Sequence, residues 1–530
     1  MLKLGHVTSM KKGLVPLVLA LLVILPTPSR DEDLWSAAQT KARAVAALLE
    51  DSYYKPVEEE ALAVAAIKGT LDTLDPHSYF LDPSSFSRMR EEYVGKYFGV
   101  GMQIQKQGDN IVVIAPIEGG PAYRLGIQPG DIISQIDGES TGPISSYDAM
   151  QKLRGEKGTK VTVTFIREGE KPFDLTITRE EIPLLSVPYA FMLDGGIGYI
   201  YIRNFGEETP RELEDGLTKL SELGMKSLIL DLRLNTGGAL AASIEISDLF
   251  LPKGELIVST KGRNTVFDRQ FRAYLDDQYE KLPLVILIDQ GTASASEIVS
   301  GAVMDHDRGL IVGEDSWGKG LVQQVFPLAP NMAVALTVAK YLTPSGRSIQ
   351  RDYSQLDEYL MNKRPADEGR EVFTTEHGRT VKGQGGITPD YAVDSLLKPI
   401  TGRLRMSGAF FAYARKLVQH QTDLGRKLIF PQEPEASAPA PAGKIQVGSA
   451  FVANADVVAD FRKYLASRQV EYKEADFRAA EEEIRREIER EVAGAVWGVD
   501  AGVQVAREGD PAVRKAIEVM PEAAGLLLKY

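Results

Sequence analysis

The chain has 530 residues, 44% hydrophobic and 25% charged, which is enough apolar material for several packed domains and excludes wholesale disorder. Lys plus Arg is 61 against 74 for Asp plus Glu, a formal charge of −13, so bulk attraction to nucleic acid or anionic lipid is not its main activity. It has no cysteine and only five histidines, none in an H-E-x-x-H pair, so disulfide frameworks, thiol nucleophiles and zincin chemistry fall away.

In chain order, Lys11 and Lys12 precede an apolar run, residues 14–25, followed by Asp31, Glu32 and Asp33. The run has the length of a signal-peptide core and is short for a membrane span. The flanking lysines orient the rest of the chain outward. Residues 1–30 therefore read as a signal peptide or N-terminal anchor. The expected location is the periplasm or the outer face of the inner membrane, with membrane association through this segment left open. Residues 31–94 read as helical, with Ala-rich spacing at 44–49 and 61–67 and a turn at Leu74-Asp75-Pro76-His77-Ser78.

From 95 to 180 short β-rich runs (111–114, 132–136 and 160–167) alternate with Gly and Pro turns. Tyr97-Phe98-Gly99-Val100-Gly101 is followed by Gly119-Gly120-Pro121-Ala122, by Leu125 to Asp131, by Asp137-Gly138 and by a helical segment at 147–153. This order resembles a PDZ domain. Its glycine loop, residues 97–101, is expected to turn N–H groups toward a peptide C-terminal carboxylate while an edge strand accepts the peptide. Arg154, just after the helix, is a candidate for passing a signal to the rest of the chain, against the plainer reading of a surface charge.

Residues 185–400 read as α/β. Near-continuous apolar strands (197–202, 227–232, 284–288, 309–313, 332–339) with helices at 209–223 and 241–251 predict a sheet buried on both faces. A helical extension, 401–430, a Pro/Ala-rich linker, 431–443, and a helical appendage, 444–530, complete an α/β multi-domain chain: helical N-terminal region, β-sandwich-like PDZ domain, α/β catalytic core and C-terminal helices.

Three motifs compete for the chemistry. Gly313 to Lys319 begins like a phosphate-binding loop, but Gly320 stands where Ser or Thr should hold magnesium, and the strand-like 321–325 follows where a helix is needed. Ser316-x-x-Lys319 fits a penicillin-binding signature, but Gly318 and Gly320 oppose the helical turn it needs. Gly291 to Ile298 places Ser294 at a strand-to-helix turn, where a helix cap is the plainer reading and a presented nucleophile the other.

Taken together, Gly291–Ile298, Gly318-Lys319-Gly320 and Gln323 resemble the C-terminal processing peptidases, or tail-specific proteases. So do Asp231-Leu232-Arg233-Leu234-Asn235-Thr236-Gly237-Gly238, Leu74–Ser78, Thr343–Gln350 and Gly386-Ile387-Thr388-Pro389-Asp390, within residues 40–400. The resemblance implies a Ser294 nucleophile with Lys319, 25 residues later, as its base, and Gln323 orienting that lysine. It implies an oxyanion hole from Ala295 with Gly237 or Gly238, the two glycines not being distinguished. Asp305 matches a supporting acidic position, with a helix-end salt bridge as the equal alternative. Arg233 is expected to pair with an acidic neighbour.

The implied function is a serine endopeptidase that recognises protein or peptide substrates by apolar C-termini. No cofactor, metal or nucleic acid is called for, and a homo-oligomer is left open. The alternative is a catalytically silent PDZ scaffold that recruits another protease. Two departures stand out: the polar stretch 351–384 before Gly386, and the segment after the linker, which has no counterpart in the shared core.

Overall fold

The computed structural model describes residues 34–276, 279–362, 369–394, 397–430, 445–446 and 451–528. The signal or anchor reading and the linker reading lie outside them. Among the described residues no helix is long and apolar enough to cross a membrane.

Two compact units are distinguished. The smaller holds helices Leu34–Ser52 and Glu59–Leu71 and a short strand, Tyr79–Leu81, paired antiparallel with residues 333–335. All else described here belongs to the larger unit.

Its first part is an antiparallel sheet in the order 102–107, 110–116, 132–136, 160–166, 173–178. Alternate residues such as Ile111, Val113, Val161, Val163 and Phe165 face one core with Ala149 and Leu153 of helix Ser146–Leu153. That helix is held by a capping box between Ser145 and Asp148. Strand Met102–Gln107 is an edge, with a partner on one side only. This is the PDZ domain.

The second part is a six-stranded sheet whose spatial order equals its chain order: β1 (Tyr189–Leu193), β2 (Ile197–Tyr201), β3 (Ser227–Asp231), β4 (Leu284–Ile288), β5 (Leu310–Gly313) and β6 (Tyr391–Ala392). Only β1 with β2 is antiparallel. Every residue of β3 and β4 is buried, as a sheet covered on both faces requires. On one face Ile200, Leu228, Leu230, Ile286 and Ile288 pack with α1 (Thr209–Glu222), α2 (Leu240–Asp248) and α3 (Ala295–Asp305). Helix α1 buries Leu213, Leu217 and Leu220, one stripe at helical spacing.

The opposite face carries Tyr199, Ile229, Val285, Leu287 and Val312, and its cover is the last helix, α4 (Pro511–Leu526). Ala512, Val513, Ala516, Val519, Met520 and Ala523 lie against it. The C-terminal segment is helical, as its composition indicates, but it is not set apart from the core. Its helices 455–467 and 481–497 also share a core with 399–406 and 409–418. The reason is the alternation of apolar residues along β2 to β5, which leaves a second face that water cannot be allowed to reach.

A chain cut after Pro431, which the appendage reading would leave intact, is therefore expected to lose its cooperatively folded state. Val513→Asp in the full chain should cost about 3 kcal/mol or more, because it buries an unpaired carboxylate. Thermal unfolding and size-exclusion chromatography check both, and a truncated chain that melts like the full one contradicts the packing argument.

Candidate active site

Ser294 stands between β4 and α3, with φ 56° and ψ −114°, a left-handed conformation disfavoured for any residue with a side chain. It is the only residue from 292 to 310 that is not buried. The turn is fixed from below. Thr292 Oγ1 donates to the Leu232 carbonyl at 2.9 Å, and the Ala293 N–H donates to the Asn235 carbonyl at 3.0 Å. The turn is thus built to lift one hydroxyl to the surface, the geometry of a presented nucleophile.

Beside it runs the loop 231–238. Gly237, at φ 100°, has no room for a side chain: a Cβ there would lie 2.8 Å from the Ala293 carbonyl and 2.9 Å from both Ser294 Cβ and the Ala295 nitrogen. The N–H of Gly237 donates to Asn235 Oδ1 at 2.9 Å. Among the described residues, the N–H groups of Gly238 and Ala295 have no acceptor. Asn235 is fully buried, and its amide also donates to the Ile202 carbonyl at 2.9 Å while its carbonyl takes Ser296 Oγ at 2.9 Å. It was named in the sequence only as a motif letter.

A buried ion pair anchors the start of that loop. Arg233 bonds Asp231 at 2.9 and 2.6 Å and reaches Asp510, at the N-terminus of α4, at 2.8 Å. Burial alone would raise the Asp231 carboxyl, but Arg233, with Arg507 and the Tyr199 hydroxyl, brings it down to about 2. Arg233 pairs with acidic neighbours as expected, one of them supplied by the C-terminal helix.

Glu297 is the residue that sequence reasoning passed over. It is completely buried on the first turn of α3. Its Oε2 accepts the N–H of Ser294 at 2.7 Å and the N–H of Lys319 at 2.9 Å; its Oε1 accepts Ser316 Oγ at 2.5 Å and the N–H of Gly318 at 2.6 Å. Two bonds to one oxygen hold the backbone nitrogens of Ser294 and Lys319 within 5.6 Å, the sum of those two lengths. Burial pushes the Glu297 carboxyl up and the four donors pull it part of the way back. The available signal was its place three residues after Ser294, the acidic position of a capping box.

The loop that carries Lys319 is also clamped from its other side. Trp317 N–H donates to the Thr292 carbonyl at 2.7 Å, and Ile387 N–H to Ser316 Oγ at 2.7 Å. The Arg351 guanidinium lies 4.5 Å from the Trp317 ring and 4.6 Å from the Tyr359 ring, so the polar stretch after Gln350 packs beside the site. Lys319 is half-buried. The Gln323 amide nitrogen donates to Thr337 Oγ1 at 3.2 Å across neighbouring strands. Asp305 is at the far end of α3, where it pairs with Arg347 at 2.7 Å and accepts from Ser345. That is the helix-end salt bridge, not a group beside Ser294.

In the PDZ domain Tyr97, Phe98 and Gly99 lie in strand Lys96–Gly99, paired with Glu180–Pro183. The N–H groups of Val100 and Gly101 have no acceptor among the described residues. Arg154 is not a plain surface charge. It bonds Glu91 at 2.5 Å and stacks 4.4 Å over the Tyr97 ring. Glu91 belongs to helix Pro83–Val94, whose Tyr93 carbonyl accepts the Glu207 N–H at 2.8 Å. Two residues earlier, Phe205 is bonded on both sides to the end of the 231–238 loop, the glycine loop of the core, accepting the Ala239 N–H and giving its own to the Gly237 carbonyl.

The family model described as Peptidase family S41 matches residues 196–358, and a PDZ domain model matches 112–167. The carboxy-terminal-processing protease of Bartonella bacilliformis is 41% identical over 298 residues, 55% of this chain and 68% of that protein. The carboxyl-terminal-processing protease of Synechocystis is 38% identical over 316 residues, covering 57% and 72%. The chain belongs to the carboxy-terminal-processing protease family. It is a serine-type peptidase with a PDZ domain. The carboxy-terminal processing protease CtpA of Bacillus subtilis, 35% identical over 304 residues, covers 57% of this chain and 65% of its own length.

Glu297→Ala removes the acceptor of four buried donors. The expected result is a loss of at least about 3 kcal/mol of stability, at roughly 1–3 kcal/mol for each donor left unpaired. In protein that remains folded at low temperature, kcat should fall about a hundredfold, because the two loops lose their common tether. Denaturant titration and peptide hydrolysis measure the two effects.

Proposed function

We propose that the chain is an exported endopeptidase of the cell envelope that takes proteins by their C-termini in the PDZ domain and cleaves them with a Ser294–Lys319 dyad through an acyl-enzyme. The observation that carries this reading is the single Glu297 oxygen that accepts the N–H of both residues, 25 positions apart in sequence. A helix cap alone has no use for a second loop tied to the same carboxylate.

In the proposed mechanism Ser294 Oγ attacks the peptide carbonyl carbon while the neutral Lys319 amine takes its proton. An ordinary lysine, with a pKa near ~10.4, is no base at neutral pH, so this step requires the amine to be held neutral by its surroundings. Negative charge moves to the carbonyl oxygen, and the Ala295 and Gly238 N–H groups receive it. Gly238 is preferred to Gly237 because the Gly237 N–H is engaged by Asn235. The C–N bond then breaks and Lys319 returns the proton to the leaving amine. Water, deprotonated by Lys319, attacks the Ser294 ester, the bond from the acyl carbon to Ser294 Oγ breaks as Lys319 returns the proton to that oxygen, and the acid product leaves. Gln323, four residues beyond Lys319, is proposed to orient that lysine, and Asp305, paired with Arg347, serves the fold.

The PDZ reading rests on the edge strand Met102–Gln107 and on the unengaged N–H groups of Val100 and Gly101. A substrate's terminal carboxylate meets those groups, and its chain adds to the edge. Arg154 is proposed to report occupancy through Glu91 and the 204–207 segment to the glycine loop. The lysines and apolar run before residue 26 support export.

Ser294→Ala and Lys319→Ala should each abolish hydrolysis with an unchanged melting temperature. Lys319→Arg should be equally inactive, since a guanidinium stays protonated. Turnover by Lys319→Arg at neutral pH would remove the dyad.

A peptide ending in a free carboxylate should be cut several-fold faster than its C-terminal amide, because charge-assisted bonds are about twice as strong as neutral ones. Comparison of initial rates on the two peptides decides it. Equal rates would leave the dyad standing and exclude recognition by the C-terminus.

A further inference from the structure

Three separate segments meet at the end of α3 remote from Ser294. His306 follows the helix, Glu255 precedes strand Leu256–Gly262, and Glu376 lies in the hairpin between strands Val372–Thr374 and Thr380–Lys382. One ligand atom from each lies within 4.8 Å of the others.

The His306 side chain is 8% exposed and its orientation is fixed by its contacts. Nε2 lies 2.7 Å from the Leu256 carbonyl, which can only accept, so Nε2 carries the proton. In the neutral ring Nδ1 is then a bare lone pair. It faces Glu376 Oε2 at 3.0 Å and Glu255 Oε2 at 3.3 Å. Three lone pairs converge, and the arrangement needs a positive centre among them. One proton on Nδ1 points along one N–H···O line and satisfies one carboxylate. The charge count agrees: neither Glu255 nor Glu376 has a lysine or arginine partner among the described residues, whereas nearby Asp305 is paired with Arg347, and Asp307 with Arg379 and His377.

The spacing fits a metal ion. Zinc bonds to imidazole and carboxylate are about 2.0–2.1 Å, which in a tetrahedron separates neighbouring ligands by about 3.3 Å. A ligand histidine typically donates its other N–H to a carbonyl or carboxylate, as His306 does to Leu256. One imidazole and two carboxylates, without thiolate, suit zinc or a similar divalent transition metal. Glu255 and Glu376 are partly exposed, which leaves an entry path and room for water as a fourth ligand.

We propose that Glu255, His306 and Glu376 bind a divalent transition-metal ion, zinc foremost, which staples the 372–382 hairpin and strand 256–262 to the end of the helix that begins at Ser294. The ion is structural. Twelve residues of helix put it about 18 Å from Ser294, too far to touch substrate.

The test uses the full chain, stripped with EDTA and dialysed into chelator-free buffer. Calorimetric titration with zinc chloride should give one ion per chain, zinc should raise the melting temperature, and Co²⁺ should give visible ligand-field absorption. His306→Gln and Glu376→Gln should each weaken zinc binding at least tenfold, while peptide hydrolysis continues in EDTA. Should His306→Gln fail to fold, Glu376→Gln, on an exposed hairpin, still decides. No saturable binding at millimolar zinc would overturn the proposal and leave a proton as the bridging charge. Undiminished binding in Glu376→Gln would place the ion elsewhere and overturn it equally.

Discussion

One buried carboxylate organises the catalytic region. Glu297 has two oxygens and four donors, and the donors come from two loops that sequence keeps apart. An acceptor removed from water is costly unless every lone pair is used, so the two loops are drawn to one another by the desolvation of a third group. The strained backbone at Ser294 is stored within this arrangement, since its N–H is one of the four donors. The glycine loop is added from the other side by Asn235, whose backbone carbonyl holds both Ala293 and Ser296. The proposed nucleophile, base and oxyanion donors are thus positioned by groups that do no chemistry themselves.

Much of this was legible beforehand, for identifiable reasons. Strands β3 and β4 were found because a sheet covered on both faces needs unbroken apolar runs. The PDZ domain was found because its turns demand Gly and Pro at fixed intervals. Ser294 was visible as a small residue between a strand and a helix. Glu297 was not singled out, because a Glu three residues into a helix is ordinary and only burial makes it exceptional. That the Gln323 amide bonds Thr337 was not legible, since the pairing of the two strands decides which side chains meet. Gly237 and Gly238 could not be separated by sequence, since only the Asn235 side chain distinguishes their N–H groups.

The ion pair of Asp231 and Arg233 shows how far the support of a site extends. Taken alone, a buried pair of this kind is a weak source of stability. Here it also places charge. Asp231 ends β3, Arg233 begins the glycine loop, and Asp510 caps α4 through the N–H groups of Ala512 and Val513. One guanidinium therefore ties the loop beside Ser294 to the helix on the opposite face of the sheet. The large separation in sequence, 277 residues between Arg233 and Asp510, explains why composition alone set the C-terminal segment aside.

That same separation has a bearing on the order in which the molecule is made. Synthesis delivers β2 to β5 long before α4, so one face of a largely parallel sheet remains bare while some two hundred further residues emerge. Contacts this distant along the chain form late and slowly. Until α4 closes on the sheet, Arg233 lacks its second carboxylate and the glycine loop lacks that anchor. A newborn chain thus carries Ser294 and the loop beside it well before it carries the full scaffold around them.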